Sequence, residues 1–143
     1  MAGCGGGDGG SGRSAVDKAV QRWADATRAF DGQFTGCGRR VAPIHGVFSA
    51  CMRTPPLDYK PAAAGLRRAF EARASCKQEA AEAGRVLVRD VSLMDQEIAL
   101  SDRLVDAAIA RRRLRGPAPA DFEARAQRTI SGDVIELRKL SGC

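Results

Sequence analysis

The chain has 143 residues, the length of one ordinary domain, and its 44% hydrophobic content can form a core without a structural metal. Its formal charge of +6 rests on 19 Arg against 4 Lys, and only seven residues are aromatic. No apolar run nears the ~20 residues that cross a bilayer, and the β-branched runs that build strands are missing. Ala, Leu, Glu and Arg favour helix before any pattern is read.

Residues 1–13 read as a flexible Gly-rich tether. From Val16 the apolar positions step by four and three through Val20, Trp23, Thr27, Phe30, Phe34, Cys37, Val41, Ile44, Phe48 and Cys51. Such a seam is coiled-coil-like, and Ser14 with Asp17 supplies a capping-box start. The spacing therefore predicts one helix over about 14–53, kinked near Val41 by Pro43.

Pro55 and Pro56 stop that helix, and Pro61 suits the first turn of a second one over about 61–115. Its inward stripe is Leu66, Ala69, Cys76, Ala80, Ala83, Leu87, Val91, Met94, Ile98, Val105 and Ala108, widened by Leu93, Leu100 and Leu104. A wide stripe calls for a third helix, and the turn Gly116-Pro117-Ala118-Pro119 delivers it over about 120–141. That helix presents Phe122, Ala126, Ile130, Val134, Leu137 and Leu140. The expected fold is all-α, an elongated antiparallel three-helix bundle or helical hairpin.

A hairpin folded about Pro55-Pro56 would set Phe30 against Ala83 and Phe34 against Ala80, large against small. It would also bring Cys37 level with Cys76, predicting a disulfide between them and leaving the pairing of Cys51 and Cys143 open. These four of the five cysteines contain no CxxC spacing, which argues against a zinc or thioredoxin-like site. An even set of four suits an oxidising compartment.

Met1-Ala2-Gly3-Cys4 resembles the lipobox of bacterial lipoproteins, with Met1 standing where the lipobox has Leu or Val. The resemblance implies that the start codon is mis-assigned within a longer signal peptide, and that the Cys4 sulfur carries diacylglycerol ahead of the Gly-rich tether. It implies a cell-envelope address, lipid-anchored or secreted. The helical region itself resembles no family.

Catalytic chemistry finds little support. His45, the only histidine, has Ser49 at i+4 but no orienting acid or oxyanion turn. No set of ligands suggests a metal or cofactor. Asp95, Glu97, Asp102 and Asp106 read as a solvated face, since the di-iron pattern of bundles needs Glu-x-x-His. Arg111, Arg112, Arg113 and Arg115 complement the carboxyl end of the second helix and are a candidate contact for an anionic membrane surface. The lack of interleaved aromatics among them argues against single-stranded nucleic acid, and nucleic acid is not the expected partner. The sequence thus points to a non-catalytic helical interaction or structural protein that binds a protein partner or itself through its helical faces. The competing expectation is a cytosolic helical adaptor or a weak nucleic-acid-binding protein.

Overall fold

The structure is a computed structural model that describes residues 7–40, 47–109 and 119–143. It is all-α, with helices α1 (Gly7–Arg40), α2 (Val47–Met52), α3 (Tyr59–Glu71), α4 (Lys77–Ile109) and α5 (Pro119–Leu140), and a 3-10 turn (Ala74–Cys76) between α3 and α4. No described helix is long and apolar enough to cross a membrane. α1 begins at Gly7, so it takes in part of the expected tether and starts before Ser14.

The expected 14–53 helix does not form as one piece. Cys37 and Cys51 are 14 residues apart and would be separated by ~21 Å along a continuous helix. Their Cα atoms lie 5.8 Å apart, joined by a disulfide. The chain therefore reverses between α1 and α2, with residues 41–46, which include Val41, Pro43, Ile44 and His45, outside the described residues. α2 packs on both α1 and α4, and Phe48 meets Phe34 edge to face at 5.1 Å.

The proline pair does not turn the chain around. It interrupts a descending segment in which α2 is followed by α3, because neither proline can donate a helical hydrogen bond. Gln33 of α1 supports the interruption, its Nε2 donating to the Cys51 and Pro55 carbonyls, each at 3.0 Å. α3 then starts at Tyr59, and the Ala62 N–H returns to the Asp58 carbonyl at 2.8 Å.

The expected 61–115 helix is also two pieces. Arg73 is extended between α3 and the 3-10 turn (φ −101°, ψ 115°), and the chain reverses again there. α1, α3, α4 and α5 consequently close a ring of neighbours: α1 on α3, α3 on α4, α4 on α5 and α5 back on α1. This is a four-helix arrangement with α2 continuing the place of α3, rather than a three-helix bundle. α1 has α3 and α5 as its main neighbours, so Phe30 packs edge to face on Tyr59 at 5.4 Å instead of facing Ala83.

The core is continuous through Val16, Val20, Trp23, Phe30, Leu66, Phe70, Leu87, Met94 and Leu137. Most expected inward positions are covered, with Leu104 as an exception at 43% exposure. Several mid-helix glycines have no packing reason. A Cβ added at Gly32 or Gly132 meets nothing within 4 Å. Gly32→Ala and Gly132→Ala should each raise unfolding free energy by about 0.5–1 kcal/mol in urea melts, since alanine removes unfolded-state entropy without a clash.

Candidate functional site

The Cys37–Cys76 disulfide expected from the hairpin is absent. The observed pairs are Cys37–Cys51 and Cys76–Cys143. The error follows from the position of the turn. With reversals after α1 and after α3, Cys37 lies near the C-terminal end of α1 and Cys76 near its N-terminal end. Arg89 meets Asp133 across α4 and α5, which brings the end of α5 level with the start of α4, and the Cys76 and Cys143 Cα atoms lie 5.1 Å apart.

The unusual chemistry lies on α4. Asp90 and Glu97, seven residues apart, are 0% and 1% exposed, and no N–H group or hydroxyl donates to any of their carboxyl oxygens. Burying an ionised carboxylate without a partner is costly, so such groups hold their protons instead. Burial pushes Glu97 up to about 8, helped by the negative charges of Asp31 from α1 and Glu123 from α5. Asp90 is likewise held well above the carboxylate range, first by burial, next by a side-chain hydrogen bond to Asp133 of α5 that needs the Asp90 proton, and then by the Asp133 charge, with Arg89 opposing.

The surrounding acids are themselves affected. Asp31 is raised by burial and by Glu123, and Glu123 is raised by burial against a hydrogen bond donated by Gln127. Arg89 donates to both oxygens of Asp133 at 2.7 and 2.6 Å, so its cation is directed at Asp133 rather than at Asp90. The Trp23 indole Nε1 is also buried without an acceptor.

No protein-family model, curated protein or solved structure matches this chain.

Glu97 corrects the reading of Asp95, Glu97, Asp102 and Asp106 as a solvated face. Its neighbours are engaged too. Asp95 accepts a hydrogen bond from the Tyr59 hydroxyl at 2.6 Å, and burial with this contact raises the phenol. Asp102 accepts from the Ser49 hydroxyl and from the Ser49 N–H at 3.2 Å. These bonds tie α2 and α3 to α4 around a cleft of about 330 Å³ at the proline interruption, lined by Met52, Arg53, Leu57 and Lys60 among others. No group of three or more His, Cys, Asp or Glu among the described residues could hold a metal ion.

Cys4, His45, Arg111, Arg112, Arg113 and Arg115 lie outside the described residues. The structure thus brings the four remaining sequence-predicted site residues, all cysteines, together in a new pairing. It adds Asp90 and Glu97, which the sequence reading had passed over as site residues.

Proposed function

We propose that this chain is a non-catalytic interaction protein of an oxidising compartment, anchored to the cell envelope through Cys4 or secreted. Its helical faces engage a protein partner, or a second copy, and the arginines at 111–115 meet an anionic surface. The observation that supports this reading is the placement of the disulfides. One closes the α1–α2 reversal and the other ties the C-terminus to the α3–α4 turn, so all four bundle cysteines serve architecture. The Ser49–Asp102 contact does not resemble a catalytic pair, because no described base bridges the two.

The test is intact mass with non-reducing peptide mapping of the protein from its native host. The expected products are Cys37–Cys51 and Cys76–Cys143 cross-linked peptides, with a lipid-modified Cys4 peptide for the anchored form. Alkylation of all five thiols would overturn the proposal and favour the cytosolic adaptor.

A further inference from the structure

Both buried carboxyls sit where α5 closes on α4. Asp90 faces Asp133 of α5, and Glu97 faces Glu123 of α5 together with Asp31 of α1. The apolar hold of α5 is thin. Of its described apolar side chains only Ala126, Ile130 and Leu137 are fully covered, with Val134 and Leu140 partly buried against the core, whereas Ile135 is 58% exposed. By comparison, α1 commits Trp23, Phe30 and Phe34 to the core. At its far end α5 is fixed covalently through Cys143 to Cys76.

We propose that α5 is an acid-held arm. It docks on α1 and α4 while Asp90 and Glu97 carry protons, and it lifts from that face, hinged at the Cys76–Cys143 end, when they ionise. Ionisation places a carboxylate pair across each contact, Asp90 with Asp133 and Glu97 with Glu123, and lifting the arm both separates the pairs and admits water.

The cation acting on Asp90 is Arg89, whose guanidinium is bound to Asp133 and so ties α5 to α4 against lifting, while Glu82 of α4 lies near that same arginine; no described cation acts on Glu97. From α3, Arg67 and Glu71 line an outer groove with Arg89, and Tyr59 and Lys60 engage Asp95. From α2, Ser49 engages Asp102. From α1, Asp31 adds negative charge at Glu97, and Gln21 accepts from Arg138 of α5 at 3.0 Å. Docking is thus set by solution pH, and the covalent hinge makes it reversible.

The experiment places spin labels on non-natural keto side chains at exposed Arg28 of α1 and Arg128 of α5 in the oxidised full-length chain. Distances are then measured by pulsed electron resonance at pH 5.5 and pH 8.5. The expected result is one short distance at pH 5.5 and, at pH 8.5, a longer-distance population at least about tenfold larger, with far-UV helicity retained. In the Asp90→Asn, Glu97→Gln double variant the longer distance should be absent at both pH values. A single short distance throughout, or a long distance that appears only with loss of helicity, would overturn the proposal. If the double variant does not fold, Asp31→Asn with Glu123→Gln at the part-exposed rim should shift lifting to higher pH. An unshifted midpoint there would equally overturn it.

Discussion

At pH 9, Glu97→Gln should be more stable than the native chain by about 2–4 kcal/mol in urea unfolding, whereas at pH 5 it should be equal or weaker by about 1 kcal/mol. In the unfolded chain Glu97 ionises in the ordinary range near pH 4. In the folded chain burial among Asp31 and Glu123 holds the proton to about 8. Between these values the folded state binds the extra proton, so its stability is greatest in acid, declines as pH rises through the window, and levels above the folded value. A shift of this size corresponds to roughly 3–5 kcal/mol once some water penetration is allowed for. The amide variant removes that dependence but keeps a polar group in the core, which limits its gain and accounts for its small deficit in acid. Asp90→Asn should move stability in the same direction. A native chain equally stable at pH 5 and pH 9 would show that neither carboxyl is buried in solution.

This dependence was within reach of the sequence. Stepping strictly by four and three from Ala83 gives Leu87, Asp90, Met94 and Glu97, the same rule that located the first seam. Choosing the apolar neighbours Val91 and Ile98 instead kept the stripe hydrophobic, yet these two are only partly buried. The all-α class, the inward residues of α5 and most of the α4 stripe were legible because a 3.6-residue period survives any arrangement of turns. The turns were less so. Pro43 marked the first break, but a seam in phase through Cys51 made it read as a kink rather than a reversal, because α2 folds back with Phe48 again facing the core. The second break carries no proline or glycine: Ala72, Arg73 and Ala74 interrupt the helix where tertiary packing outweighs propensity. Each misplaced turn shifted every cross-helix pairing, and the Cys37–Cys76 expectation failed with them.

The two disulfides should contribute unequally. Removing Cys76–Cys143 by paired alanine substitution should lower unfolding free energy by about 4 kcal/mol, against about 3 kcal/mol for Cys37–Cys51, from the entropy of closing their loops in the unfolded chain. The sequence separations are 67 and 14 residues. Folded-state contacts should widen that difference. Cys37–Cys51 is supported by the Phe34–Phe48 contact and by Gln33 bonding across the same reversal, so α2 retains other attachments when the bond is lost. At the other end, the Ser141 hydroxyl and the N–H groups of Ser141, Gly142 and Cys143 bond only to carbonyls of α5 itself. Among the described backbone bonds, none links those last residues to the α3–α4 turn, which leaves the sulfur bridge as the tie between them. The check is guanidinium unfolding at pH 5, where Asp90 and Glu97 are protonated and do not add their own loss. Equal destabilisation by the two pairs of substitutions would show that the last turn of α5 is held by packing around Leu137 and Leu140 rather than by Cys143.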